Sequence, residues 1–125
     1  FKEKVEPFLN ENILFIGHSG PEKRNELLGK AAALLHPINF NEPFGLSVAE
    51  AMMCGTPVIA FNKGSMSELI KNEETGFLVN SVEEAVEALK VIPKINRENC
   101  RNWSISQFSR DKMVSDYIKC YDQIL

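Results

Sequence analysis

The sequence predicts an α/β domain built on a parallel sheet, and three observations carry that reading. Short, apolar, β-branched runs alternate with longer helical segments, the signature of βαβ units. No apolar run alternates cleanly with polar residues, so the strands are expected to be covered on both faces. Gly or Pro marks the junctions, at Pro37, Gly55, Gly64 and Pro93 among others.

The elements follow in order. Phe1–Asn12 is polar with scattered apolar positions, and Pro7 interrupts any helix there. Ile13–His18, ILFIGH, reads as a buried strand ending at Gly17. The helix after it has Ser19 as cap, Pro21 in its first turn and Glu22 near its positive end. ALLHP is the next strand, stopped by Pro37, and Phe44–Cys54 is a helix that Gly55 ends. Pro57–Phe61 is a strand, SMSELIKN a short helix after Gly64, and Gly76–Asn80 a further strand. Ser81 with Glu84 forms a capping box for a helix whose apolar positions are Val82, Ala85, Val86, Leu89 and Ile92. ENCRNWS suggests one more short helix. Arg110–Leu125 is amphipathic, with Met113, Val114, Tyr117, Ile118, Tyr121, Ile124 and Leu125 on one stripe. With about four strands the domain is small for its class, as the second half of a doubly wound sheet would be.

Composition narrows the function classes. The chain has 125 residues, 44% apolar and 25% charged, the profile of an ordinary globular domain. A net charge of −3, with no basic stripe, argues against nucleic acid as a partner. No apolar run approaches the roughly 20 residues of a membrane span. Cys54, Cys100 and Cys120 have no paired spacing and read as reduced thiols of a cytosolic protein, not as disulfide or zinc ligands. His18 and His36 are not spaced as a metal pair.

In open parallel sheets, ligands sit beyond the carboxyl ends of the strands. GHSGP, HPINFNEPFG and FNKGS are the three loops at such ends. The middle one leads into a helix N-terminus at Gly45, where free amides form an anion site, or where glycine simply relieves a crowded turn. The helix beyond is apolar nearly all round except for Ser47, Glu50 and Cys54 along one face. A buried carboxylate must be paired, protonated or facing a cleft. In nucleotide-binding α/β sites an acidic side chain accepts hydrogen bonds from two ribose hydroxyls, and Glu50 suits that task. A structural hydrogen bond to a neighbouring loop is the alternative.

From Asn41 onward the stretch NEPFGLSVAEAMMCGTPVIAFNKGSMSELIKNEETGFLV resembles the family-four retaining glycosyltransferases of the GT-B fold, which use nucleotide sugars. The likeness rests on Glu42 and Glu50 with seven residues between them, the PFGL turn, EAMMCGTPVIAF, KGSMSELI, TGFLV and the closing FSRDKMVSDYIKCY. It implies the Rossmann-like C-terminal half of a GT-B enzyme. Residues 1–125 would form the donor-binding domain, incomplete at its N-terminal side, with the acceptor-binding N-terminal domain absent.

The resemblance also implies roles. Glu50 would bind the ribose hydroxyls and Glu42 the donor sugar, as a positioning group in the catalytic region and not a nucleophile. The amides of Phe44, Gly45 and Leu46 would hold the diphosphate, and the loop after Gly17 would lie near the base. The full-length enzyme would transfer the sugar to a glycan, lipid or metabolite with retention, without cofactor or metal, because amides and basic side chains stabilise the departing diphosphate. The isolated segment would be inactive. A non-catalytic nucleotide or nucleotide-sugar binding module is the alternative. The implied partners are the donor and the N-terminal domain; the implied location is the cytoplasm, peripheral to the membrane if the acceptor is lipid-linked. Lys23, Arg24 and Lys63 read as solvated surface charge, and His36 as packed at the mouth of the cleft. The C-terminal helix would cross to the N-terminal domain, leaving part of the Tyr117 and Tyr121 stripe exposed here.

Overall fold

The computed structural model describes residues 1–124. Six α-helices and three strands follow a short 3-10 turn, Glu6–Phe8. They are α1 (Pro21–Lys30), β1 (Leu34–His36), α2 (Leu46–Met53), β2 (Val58–Phe61), α3 (Met66–Leu69), β3 (Gly76–Val79), α4 (Val82–Val91), α5 (Arg97–Phe108) and α6 (Arg110–Ile124). The strands form one parallel sheet in the order β1-β2-β3, with Leu34 opposite Val58 and Val58 opposite Gly76.

Side chains alternate across the sheet and build two cores. On one face Val58 and Ala60 meet Val48, Ala51 and Met52 of α2, and Met66 and Leu69 of α3. Trp103 and Phe108 of α5 close that cluster from outside. On the other face Ile59 and Val79 meet Ala88 of α4 and Ile92 just beyond it. This is the expected Rossmann-like arrangement in a reduced form; β2 is covered on both faces, but Leu35 of β1 is 53% exposed on the α4 side, a correction to the expectation that every strand is covered twice.

Local sequence explains most of the boundaries. Pro21 stands at the first position of α1, where a missing N–H costs nothing. Gly20, not Ser19, occupies the capping position, and Ser19 makes no cap bond. Ser81 accepts the Glu84 amide at 3.1 Å, and the Glu84 carboxylate turns back to accept the Asn80 amide at 2.7 Å. Asn96 caps α5 by accepting the amides of Glu98 and Asn99, and that helix is a full 12 residues, longer than ENCRNWS alone suggests.

One element is corrected. Ile13–His18 is not a strand: it makes a single antiparallel bridge, Asn10 to Ile13, and Ile13, Leu14, Phe15 and Ile16 are all exposed. A strand exists only by pairing, and no strand runs beside this segment among the described residues, so the sheet has three strands where about four were expected. The C-terminal stripe is present on α6, and Met113, Val114, Tyr117, Ile118, Tyr121 and Ile124 are exposed along it. Leu125 lies outside the described residues.

Arg97 is a connection that sequence patterning does not show. Its guanidinium donates to the carbonyls of Ala31 (2.7 Å) and Gly29 (2.8 Å) and to the Thr56 hydroxyl (2.9 Å). Thr56 in turn donates to the Leu28 carbonyl. The end of α1 and the turn after α2 are thereby tied to the start of α5.

The thiols should report this packing. Cys100 is buried against the Thr75 carbonyl and burial pushes its thiol above the usual range, whereas Cys120 is exposed. A thiol-exchange reagent should label Cys120 rapidly in the folded protein and Cys100 only on unfolding, as followed by mass spectrometry. Equal labelling of the two would contradict the α5 packing.

Candidate functional site

The loops after β1 and β2 leave the sheet side by side at its carboxyl edge and are bonded to each other. The Ser65 amide donates to the Glu42 carbonyl at 2.9 Å. The Ser65 hydroxyl lies 2.7 Å from the Phe44 carbonyl and 3.0 Å from that of Glu42. Lys63 donates to the Asn39 side chain. Gly64 permits the approach: a Cβ there would overlap the backbone of Asn41 and Glu42, and its φ of 58° is left-handed. Ser65 and Gly64 are therefore site-building residues; the sequence places both in the candidate loop FNKGS but does not give either this task. A Gly-Ser pair at a strand end was the available signal.

Held from below in this way, the first loop delivers Glu42 and then turns at Gly45, whose φ of 90° starts α2. The first two amides of α2, Leu46 and Ser47, have no acceptor among the described residues, and no side chain caps them. They are the orphan donors of a helix N-terminus and carry its partial positive charge. Phe44 turns its ring away, edge-on to Phe108 at 5.9 Å. Leu46 projects toward α6 and is 70% exposed.

The expectation of a helix buried all round is corrected by α2. Val48, Ala49, Ala51 and Met52 are buried, Met53 is half-buried, and Leu46 and Ser47 are open. Glu50 stands on the open side with its side chain 36% exposed. It is ion-paired: Arg24 Nη2 lies 3.0 Å from Glu50 Oε1. Arg24 is thus not merely solvated surface charge. The pairing across two helices has no periodic signal in the sequence.

His36 ends β1 and is 8% exposed, with Nε2 buried and unpartnered. Burial lowers its pKa below the ordinary value, against an opposing pull from the Glu42 carboxylate. Of the predicted site residues, Glu42, Phe44, Gly45, Leu46 and Glu50 fall on one loop and helix. Gly17 is different: it is exposed with φ 67°, nothing packs where a Cβ would stand, and no hydrogen bond joins it to the others among the described residues. No cluster of three or more potential metal-ligating His, Cys, Asp or Glu side chains occurs among the described residues, and no helix there is long and apolar enough to cross a membrane.

Comparison with known proteins matches residues 2–112 to the family described as glycosyl transferases group 1. A 41.2 kDa protein of the cps region of Klebsiella pneumoniae is 31% identical, over 95% of this chain and 34% of that relative. The N-acetyl-alpha-D-glucosaminyl L-malate synthase of Bacillus anthracis is 30% identical, over 94% of this chain and 32% of the relative. The alpha-1,3/1,6-mannosyltransferase ALG2 of Eremothecium gossypii is 30% identical, over 91% and 25%. The chain therefore spans between a quarter and about a third of the length of these relatives.

Two variants test the geometry. Gly64→Ala should lower unfolding stability by about 2 kcal/mol in urea denaturation, because backbone and not a yielding side chain meets the new methyl. His36 sets a pH dependence. Its folded pKa lies below the unfolded one, so its contribution is intact above about 6.5 and declines as the pH falls further and the unfolded chain is protonated first. His36→Asn should flatten the loss of stability between pH 7.5 and 5; an unchanged acid slope would contradict the burial of the imidazole.

Proposed function

The chain belongs to the group 1 glycosyl transferases, and from that premise we propose that it is the donor-binding part of a longer retaining glycosyltransferase, which holds a nucleotide-diphosphate sugar across the N-terminus of α2. The observation that carries this reading is the placement of Glu42 and Glu50 on either side of the Gly45 turn. One carboxylate precedes the free amides of Leu46 and Ser47, and the other stands behind them on the open face of α2.

Each part then has a chemical task. Glu50 accepts hydrogen bonds from the two ribose hydroxyls. The helix amides take the diphosphate, whose charge grows as the bond from the anomeric carbon to the phosphate oxygen breaks and the acceptor oxygen bonds in its place. Glu42 orients the sugar hydroxyls, so that the carbon under attack faces the acceptor. Stabilisation of the leaving group by amides makes a divalent metal unnecessary. The acceptor is a glycan, lipid or metabolite held by another part of the enzyme. The relatives named as a malate-linked glucosaminyl synthase and a mannosyltransferase favour transfer over simple binding.

Titration of the whole enzyme with UDP, GDP and ADP tests the ribose assignment. Glu50→Ala should weaken the preferred nucleotide by about 1.5–3 kcal/mol, roughly ten- to a hundredfold in Kd. Unchanged affinity in a folded variant would sink that role. Glu42→Ala should leave nucleoside diphosphate affinity near wild type yet abolish most sugar transfer. Transfer should persist in EDTA, and NMR of the product should show the donor's anomeric configuration. A wild-type protein that binds sugar nucleotides and transfers none would instead be a binding module.

A further inference from the structure

Glu50 carries one ion pair among the described residues, and its partner comes from another helix. Three cations stand on α1. Lys23 and Lys30 both close on Glu26 of their own helix, at 3.4 and 2.8 Å, in the ordinary spacing of surface pairs. Arg24 alone leaves the helix, reaching Glu50 in the middle of α2. With side chains 45% and 36% exposed, such a pair adds little to folding stability, so its effect lies in where it holds the carboxylate.

The form of the contact matters. Arginine can grip a carboxylate with two parallel bonds and occupy both oxygens. Here Nη2 lies 3.0 Å from Oε1. A vicinal diol needs two acceptor positions on the carboxylate, and an ion-pair partner beside it removes rotational freedom from a long side chain.

We propose that Arg24 is a positioning residue that orients Glu50 for the two ribose hydroxyls and so sets the preference for ribonucleotides over deoxyribonucleotides. The proposal rests on the ribose role of Glu50 given above.

The test is calorimetric titration of the whole enzyme with whichever of UDP, GDP and ADP binds best, and with its 2′-deoxy counterpart. Arg24→Gln should weaken the ribonucleotide by about two- to fivefold and leave the deoxynucleotide nearly unchanged, lowering the preference by that factor. Arg24→Lys should restore part of it, and Arg24→Gln should add nothing in a Glu50→Gln background. Thermal melts of the variants confirm that α1 and α2 remain packed. A preference untouched by Arg24→Gln would overturn the positioning role while leaving the ribose assignment standing. Tighter ribonucleotide binding would overturn it as well, showing that Arg24 competes with the ribose. A preference untouched by Glu50→Gln would overturn both.

Discussion

The burial of one side of α2 is the constraint on which the molecule depends. Val48, Ala51 and Met52 are fully enclosed between the sheet, α3 and α5. Removing Val48 and Met52 from water contributes about 1.5–3 kcal/mol each, more than an exposed ion pair supplies. α5 is locked against the same helix by polar bonds: Ser104 donates to the Ala49 carbonyl at 3.0 Å, and Arg101 caps the Met53 carbonyl. With its back fixed, α2 presents its opposite side, with Ser47 and Glu50, in one orientation. The packed core and the proposed nucleotide groove are two sides of one helix.

The loops ahead of α2 depend on small residues in the same way. Gly64 lets the β2 loop pass beneath Asn41 and Glu42, and Ser65 occupies the carbonyls that would otherwise be unpaired there. His36 is buried at the end of β1, and burial lowers the pKa of its imidazole. At the carboxyl edge the Ser65 amide and hydroxyl are engaged by the Glu42 and Phe44 carbonyls, while the amides at the start of α2 are left free. That contrast distinguishes a scaffold from a place where an anion is received.

What could be read from the sequence is what depends on neighbours along the chain. Ser81, Asn96, Pro21 and the glycines at 45 and 55 act within a turn of where they stand, and the helices they bound were legible, though Asn96 was not singled out. Glu42, Gly45 and Glu50 lie on one continuous loop and helix, so their association was legible too. Ile13–Ile16 was misread because strand formation belongs to a pair of segments, and apolar β-branched residues state only a readiness to pair. The exposure of Leu46 and the Arg24–Glu50 pair were illegible for a related reason. Both depend on how far α1 and α6 stand from α2, a distance that no local pattern encodes.

The exposed run from Ile13 to Ile16 has a further consequence, for how the chain behaves in company. Four consecutive exposed apolar side chains, of which only Ile13 has its backbone bridged among the described residues, lie in the same molecule as β1, a sheet edge that is bonded on one side only. The two are complementary, and nothing in that complementarity requires them to belong to one copy. At high concentration the run of one molecule can add itself to the open edge of another, so this chain in isolation carries the seed of its own self-association.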